Sequence, residues 1–301
     1  MIAIFGIVFV TACVLGGYVM HHGQLMVLFQ PSEFLIIGGA AIGSLLVGTP
    51  LKTLKLLASQ LVNIFKGKAP DKQAYTDLLT MMYELFNVAR KDGLVGLESH
   101  IEDPKESSVI SKYPFFLKNH HALDFLADTM RLVIMGGIPE HDLDAMLDLD
   151  LEMHHKENIR PAEQLNRIGD ALPGLGIVAA VLGVIITMGA IGGPPEIIGY
   201  KVGAALVGTF LGVLLSYGYV QPLASNVTIQ VETDAQYYVV LKQGLLAFHK
   251  GFAASIAIEY ARRCIPQETR PSFLEVEEAC RGAKSNTGAG AGASAEQAVS
   301  A

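Results

Sequence analysis

The sequence predicts an all-α, polytopic membrane protein with four transmembrane helices and a helical cytoplasmic domain. Only 17% of the 301 residues are charged, where a soluble domain averages about 25%, and the mean hydropathy is +0.39. No charged residue precedes Glu33, residues 171–220 hold only Glu196 and Lys201, and no segment alternates like a strand. This pattern excludes a purely soluble enzyme and a disordered protein. The net charge of −7 argues against nucleic-acid binding, which usually requires a basic patch.

Four apolar runs are long enough, or nearly long enough, to cross a bilayer, which requires about 20 residues of helix. They are residues 2–19, 34–47 (extendable to 51), 172–191 and 202–220. Lipid cannot hydrogen-bond the backbone, so each run should be a helix. The first run has no basic leader and no clear cleavage site, which predicts a retained helix rather than a signal peptide.

Basic residues predict the orientation of the chain in the membrane. Residues 51–170 carry 14 of the 22 Lys and Arg, and residues from 223 onward carry 7. The connections 20–33 and 191–200 carry none. Because basic residues accumulate on the cytoplasmic side, we expect a multi-pass membrane protein with both termini in the cytoplasm.

The chain is thus predicted to consist of five regions. They are transmembrane helices 1 and 2 (1–50), a cytoplasmic helical loop (51–170), transmembrane helices 3 and 4 (171–222), a cytoplasmic C-terminal helical region (223–283) and a disordered tail (284–301). Outside the membrane, the apolar spacing predicts helices over residues 71–90, 120–135, 139–159 and 239–264. Gly93 is expected to end the first of these helices.

The predicted spans contain no ionisable residue other than Tyr and Cys. Buried carboxylates usually mark ion pathways, so either the chain moves no ions or a partner helix supplies the acid. The polar groups of the later pair of spans are Thr187, Thr209 and Tyr217. A threonine in a membrane helix more often bonds its own i−4 carbonyl than an ion.

Small residues and prolines also stand out in the spans. Rows of small residues let helix backbones approach each other or a partner, although glycine is common in membrane helices in any case. These rows are Gly39 and Gly43, Gly199 and Gly203, and Gly208 and Gly212 continued by Ser216. Pro173 and Pro222 lie at the membrane–cytoplasm joint and are either helix punctuation or a hinge.

The sequence offers little support for enzymatic chemistry. Glu152 and His155 form one Glu-x-x-His, but a di-iron bundle needs two such motifs and two further Glu. The chain has no Gly-rich phosphate loop and no Gly-x-Ser-x-Gly. We therefore expect no catalytic residues, metal or cofactor; a membrane metalloenzyme using this pair is the weaker alternative. Residues 90–98 are by default a solvated charged face.

Four segments resemble the signature blocks of the MotA family of flagellar motor stator subunits. They are VARKDGLVGLESHIEDP (88–104), DALPGLGIVAAVLGV (170–184), VGTFLGVLLSYGYVQPLA (207–224) and RPSFLEVEE (270–278). The resemblance extends to about residue 280 and includes the order of helices and loops. It implies a complex of five copies of this chain around two copies of a MotB-type partner. That partner is anchored to peptidoglycan and supplies an ion-binding aspartate.

The resemblance also assigns candidate site residues. Arg90 and Glu98 match charged positions that contact the rotor protein FliG. Pro173 and Pro222 match prolines of the ion-channel and coupling region, and Thr209 matches a threonine near the partner's aspartate. Tyr217 and Ala180 complete the predicted ion-channel and coupling set.

The transported ion is predicted to be a proton. Sodium-driven relatives usually carry a second threonine in the third span, where this chain has Ala180. Extra hydroxyl ligands suit a hard cation that needs oxygen coordination. A sodium-driven stator is one alternative, and an ExbB/TolQ-like energiser of outer-membrane transport is another. Such energisers usually have three spans and lack the Arg90–Glu98 block.

Overall fold

The structure, a computed structural model, describes residues 2–66, 69–189 and 191–283, and the regular elements within those ranges are helical. The helices are α1 (Ile2–Met20), α2 (Leu25–Leu28), α3 (Pro31–Gly48), α4 (Leu51–Lys66), α5 (Lys72–Asp92), α6 (Glu98–Glu102), α7 (Pro114–Leu117), α8 (His120–Met135), α9 (Glu140–Met188), α10 (Pro195–Val213), α11 (Gln221–His249) and α12 (Ala254–Arg263). Leu214–Val220 is π-helical, and residues 273–283 are also helical. The predicted tail, 284–301, lies outside the described residues.

Four stretches of helix are long and apolar enough to cross a membrane. They are Ile2–Met20, Leu25–Gly48, Glu140–Met188 and Pro195–His249. Helix α1 buries none of its residues within the chain, as expected for a helix whose surroundings are lipid or neighbouring chains. The prediction of an all-α fold with four spans is confirmed.

Two helices are longer than the sequence predicts. The segments 139–159 and 172–191 were expected to be separate, but α9 runs through both and keeps Pro161 and Pro173 inside it. Pro173 is therefore not helix punctuation. A proline removes one N–H donor, and the turns on either side can hold the helix together. Helix α11 begins at Gln221 rather than at 239.

The predicted helix 239–264 is broken at a glycine. Helix α11 ends at His249 and α12 begins at Ala254. Between them Gly251 has φ of +82°, a left-handed conformation that L side chains rarely adopt. The helix therefore ends at His249 and the chain turns before α12.

The chain divides into two compact units. The first comprises Met1–Lys68 and Lys156–Val231. Its larger apolar cluster joins α3, α9 and α10 through the buried residues Ile37, Ala41, Leu172, Ala179, Val207 and Leu211. A second cluster joins α4, α9 and α11 through Ile64, Ala162, Val227 and Val231.

The second unit comprises Ala69–His155 and Glu232–Ala301, and its core is built around α5. The apolar face of this helix includes Leu78, Leu79, Met82, Leu85 and Phe86, and all five are fully buried. Helix α12 packs on α5. This agrees with the predicted amphipathic helix, since apolar side chains at i, i+3, i+4 and i+7 share one face.

Both ends of α5 are set by single residues. The Asp71 carboxylate accepts the backbone N–H of Ala74 at 2.8 Å, which caps the first turn. Gly93, with φ of +78°, follows the last residue, as predicted for a C-terminal glycine. These caps fix where the charged segment after α5 begins.

Candidate functional site

In the first unit, α9 and α10 pack backbone against backbone. A Cβ placed on Gly176 would lie 2.7 Å from the Gly208 carbonyl oxygen, and one on Gly212 would lie 2.6 Å from the Leu172 carbonyl oxygen. Real Cβ atoms do not approach backbone so closely, so glycine is required at these positions. The predicted close packing is therefore present for Gly208 and Gly212, and their partner surface is α9 of the same chain.

The other glycine rows have a different environment. A Cβ on Gly39, Gly43, Gly199 or Gly203 would meet no atom within 4 Å in the described residues. These rows do not bring helices of this chain together. They leave backbone surface uncovered within one chain, where small residues permit close approach by another helix.

Pro173 frees a carbonyl that a serine from another segment then binds. In an α-helix the N–H of residue 173 would donate to the Gly169 carbonyl, but proline has no N–H. The Ser216 hydroxyl, in the π-helical segment, donates to the Gly169 oxygen at 2.7 Å, and Ser216 is fully buried. The hydroxyl thus replaces the missing backbone donor and connects α9 to the π-helical segment.

A second polar contact lies beside the first. Gln221 Nε2 donates to Asp170 Oδ1 at 2.7 Å, and a Cβ on Gly169 would lie 2.7 Å from Gln221 Cγ. We call Gly169, Asp170, Ser216 and Gln221 the proline joint, because Pro173 follows the first pair along the chain and Pro222 follows the second. The sequence predicts the two prolines at this joint but does not indicate these contacts.

The π-helical segment fits the residues around it. The backbone N–H of Gln221 donates to the Ser216 carbonyl, five residues back rather than four, and single π turns often occur at functional sites. Tyr217 lies in this segment with 63% of its surface exposed, and Pro222 is exposed in the first turn of α11. The predicted site residues Tyr217 and Pro222 therefore face away from the chain's own core.

Ala180 and Thr209 occur at the same level of the α9–α10 pair. A Cβ on Gly208, the residue before Thr209, would lie 3.1 Å from the Ala180 backbone nitrogen. Both residues are half-buried. By contrast, the Thr187 hydroxyl donates to its own i−4 carbonyl, Gly183, at 2.8 Å. Thr187 therefore shows the ordinary behaviour of a membrane threonine.

Glu33, a carboxylate of the first unit, was not predicted to lie in a membrane helix. The sequence predicted a second span over 34–47 with no acid of its own, but α3 begins at Pro31 and includes Glu33 in its first turn. Glu33 is only 6% exposed. The candidate span Leu25–Gly48 thus includes an acid that the predicted bounds of the second span, 34–47, had left out. The signal was the extension of the apolar stripe back by one turn, from Ile37 to Glu33.

The two predicted rotor-contact residues lie in the second unit, separate from the residues above. Arg90 is in the last turn of α5 and Glu98 opens α6, and both are exposed. An Arg90 guanidinium N–H donates to the Phe252 carbonyl at 3.2 Å, in the turn between α11 and α12. The two charges are thus presented to solvent by consecutive elements over a packed core.

Two family models match the chain. The model described as "Motility protein A N-terminal" matches residues 4–93, and the one described as "MotA/TolQ/ExbB proton channel family" matches residues 118–238. The chain is 38% identical to Motility protein A of Salmonella typhimurium, over 93% of this chain and 95% of the relative. It is also 38% identical to Motility protein A of Escherichia coli, over 94% and 96%.

Solved structures show the same fold. The flagellar MotAB stator complex from Bacillus subtilis matches with a TM-score of 0.69 and 24% identity, over 89% of this chain and 97% of the matched chain. The structure of C. jejuni MotAB matches with a TM-score of 0.73 and 19% identity, over 90% and 98%.

Proposed function

We propose a mechanism of force generation for this chain. The chain belongs to the MotA family of flagellar motor stator proteins, within the MotA/TolQ/ExbB proton channel family. It is a multi-pass membrane protein and a motor component rather than an enzyme. In our proposal it forms a proton channel with a MotB-type partner, and proton flow changes the conformation of its helices. That change is delivered to the rotor as torque.

The partner would be a single-span, peptidoglycan-anchored protein that carries the ion-binding aspartate. The solved relatives are MotAB complexes, which supports such a partner here. We propose five copies of this chain around two partner copies in the inner membrane, with both termini in the cytoplasm. The uncovered rows at Gly39/Gly43 and Gly199/Gly203 supply backbone surface for contacts between helices of different chains.

The observation that carries the coupling proposal is the hydrogen bond from Ser216 to the carbonyl freed by Pro173. Thr209 and Ala180 lie further along the same α9–α10 pair, toward the middle of the spans. A proton bound near them changes the local charge, and a packed helix pair responds by switching between discrete arrangements rather than by continuous deformation. We place that switch at the proline joint, together with Pro173, Tyr217 and Pro222, which lie next to its residues along the chain.

For contact with the rotor we propose Arg90 and Glu98, with FliG as the partner. The two side chains are exposed and of opposite charge, and exposed pairs are worth only about 0–1 kcal/mol each. Such contacts guide the two proteins together and set their alignment, but they contribute little to the affinity of the complex. That suits a contact that must be made and released many times.

The identity of the transported ion is tested by measuring the swimming of cells in media that differ only in sodium concentration. Because residue 180 is alanine, which offers no hydroxyl ligand, we expect motility to persist without sodium and to collapse with a protonophore. Strict dependence on sodium would contradict the Ala180 argument and favour a sodium-driven stator. Ala180→Thr is the variant to compare, since it restores the hydroxyl of the sodium-driven pattern.

The role in motility is tested by deletion and replacement. Removing the gene should abolish swimming while leaving assembled flagella, and the wild-type gene should restore it. Co-purification should recover a protein with one membrane helix and a peptidoglycan-binding domain. An energiser of the ExbB/TolQ type would instead leave swimming intact and impair uptake across the outer membrane.

A further inference from the structure

Glu33 is an acid on a face that is otherwise apolar and buried. It occupies the first turn of α3, and the buried residues of that helix are Glu33, Ile37 and Ala41, spaced so that they share one face. Ile37 and Ala41 belong to the apolar cluster that joins α3 to α9 and α10. Glu33 therefore extends the packing stripe of a membrane helix instead of facing solvent.

The carboxyl group lies over a glycine of α10. A Cβ on Gly208 would lie 2.5 Å from Glu33 Oε2, and also 3.1 Å from Ala179 Cβ. The space taken by Oε2 is thus space that any other residue at 208 would fill. Gly208 is thirteen residues into α10, about 20 Å along a helix that rises 1.5 Å per residue, and it is followed by Thr209.

Among the described residues, no cation or hydrogen-bond donor contacts Glu33 Oε2. Oε2 is buried and has no hydrogen-bond partner in the part of the chain that the structure describes. The elements packed around it bring no titratable side chain to this level, since residues 202–213 of α10 and 171–188 of α9 contain none. Burial of a carboxylate oxygen without a partner is unfavourable, and binding of a proton or a cation removes that cost.

We propose that Glu33 is a proton-binding station of the channel, additional to the acid that the partner contributes. This inference rests on the proposed function, because it assigns a further ion-binding group to the same pathway. A hydronium ion donates a proton to Oε2, so that one O–H bond of the hydronium breaks, a water molecule is released and the carboxylate becomes a neutral carboxylic acid. The acid later gives the proton to a water molecule, which becomes hydronium, and the carboxylate is restored.

The position in the fold suits an entry station. Glu33 is in the first turn of α3, which follows the short connection between the first two spans, and its Oε2 lies beside Gly208, the residue that precedes Thr209. A proton bound at Glu33 is already inside the first unit and lies near the residues predicted to line the channel. The alternative is that Glu33 only stabilises the N-terminus of α3. In that case the charge or the shape of its side chain would be sufficient, and no proton exchange would be needed.

The first test compares motor rotation in cells that carry variants of the full chain with their native partner. Glu33→Gln keeps the shape but cannot exchange a proton, so we expect rotation to fall about tenfold or more, as for loss of a proton-transfer group. Glu33→Asp keeps the carboxyl and should retain intermediate rotation. The matched control is Glu196→Gln, which removes an exposed acid of the same unit and should leave rotation unchanged.

The second test detects the proton itself. Infrared spectra of the purified full chain in lipid nanodiscs should contain a protonated-carboxyl band that Glu33→Gln removes and Glu196→Gln leaves in place. Gly208→Ala should shift the band, because the new methyl group occupies the space of Oε2. Normal rotation of Glu33→Gln would overturn the proposal, and so would a band that Glu33→Gln leaves unchanged.

Membrane levels of each variant are measured alongside rotation. If Glu33→Gln does not accumulate, the comparison moves to Glu33→Asp and the wild-type chain, and identical band positions in the two would overturn the assignment. Failure of the stator role would appear separately. In that case the wild-type gene would not restore swimming to a deletion strain, while the infrared result would still decide whether Glu33 holds a proton.

Discussion

Replacing Ser216 by alanine removes the one side chain that satisfies the carbonyl freed by Pro173. The hydroxyl donates to the Gly169 oxygen at 2.7 Å and is fully buried. Alanine keeps the small size needed between these segments and fits a helix well. The substitution therefore isolates the hydrogen bond from the packing around it.

The expected loss of stability can be bounded. Leaving a buried carbonyl without a partner costs about 1–3 kcal/mol, whereas hydrogen bonds between membrane helices contribute about 0.6 kcal/mol on average and up to about 1.7. Because the Gly169 oxygen has lost its own helical donor, the upper part of the membrane range applies. We expect Ser216→Ala to lower the free energy of unfolding by about 1–2 kcal/mol.

A double-mutant cycle with Pro173→Ala tests the reason for this loss. Alanine at 173 restores a backbone N–H, which can donate to the Gly169 carbonyl as in any helix. In that background Ser216→Ala should cost close to nothing. The coupling energy between the two positions should therefore be about 1 kcal/mol or more, above the roughly 0.3–0.5 kcal/mol expected of independent sites.

The assay is reversible unfolding of the purified full chain in detergent micelles, with helix content as the signal. The matched control is Thr187→Val, which removes a buried hydroxyl that donates only to its own helix and leaves that carbonyl its backbone donor. It should change stability little. Equal losses from Ser216→Ala with proline or alanine at 173 would refute the argument that Ser216 substitutes for a missing N–H.

Three further predictions concern packing, rotor contact and acid stability. Gly212→Ala should destabilise the chain by about 1–3 kcal/mol in the same unfolding assay, because its Cβ would lie 2.6 Å from a carbonyl oxygen of α9. Reversing the charges of Arg90 and Glu98 together should impair swimming without changing membrane levels, and normal speed in that double variant would contradict the rotor-contact proposal. The hydrogen bond from Arg262 lowers the pKa of Glu259 from 4.5 to about 2, so its stabilisation is complete above about pH 4.5 and is lost as the pH falls toward 2. Glu259→Gln should flatten the acid limb of the unfolding midpoint against pH, and an unchanged limb would show that this carboxylate does not stabilise the fold.

The sequence was sufficient for the all-helical fold class and for the four candidate spans. Long apolar runs specify spans because lipid leaves the backbone no other partner, and the apolar face of α5 is regular enough to predict its buried residues. The end of α5 at Gly93 could also be identified, since a C-terminal glycine acts on its own neighbours. These features depend on short-range rules that one sequence displays in full.

The site was harder to predict because it depends on contacts between distant residues. Ser216 and Gly169 are 47 residues apart, and nothing local indicates that this serine meets the carbonyl freed by Pro173. Glu33 was assigned to a loop because its charge interrupts the apolar run, yet α10 offers a glycine at the matching level. Both predictions would have required knowing which helices pack together and which of their residues lie at the same level.

The π-helical segment Leu214–Val220 holds an extra residue compared with an ordinary α-helical path of the same length. One residue corresponds to about 100° of helical rotation, so the side chains before and after the segment are out of phase by that angle. Deleting a single residue here would return the fourth span to a uniform α-helical phase and turn its two halves toward different neighbours. The number of residues in this segment thus determines the rotation of one half of the span relative to the other. We therefore expect an insertion or deletion within 214–220 to be more damaging than most substitutions there.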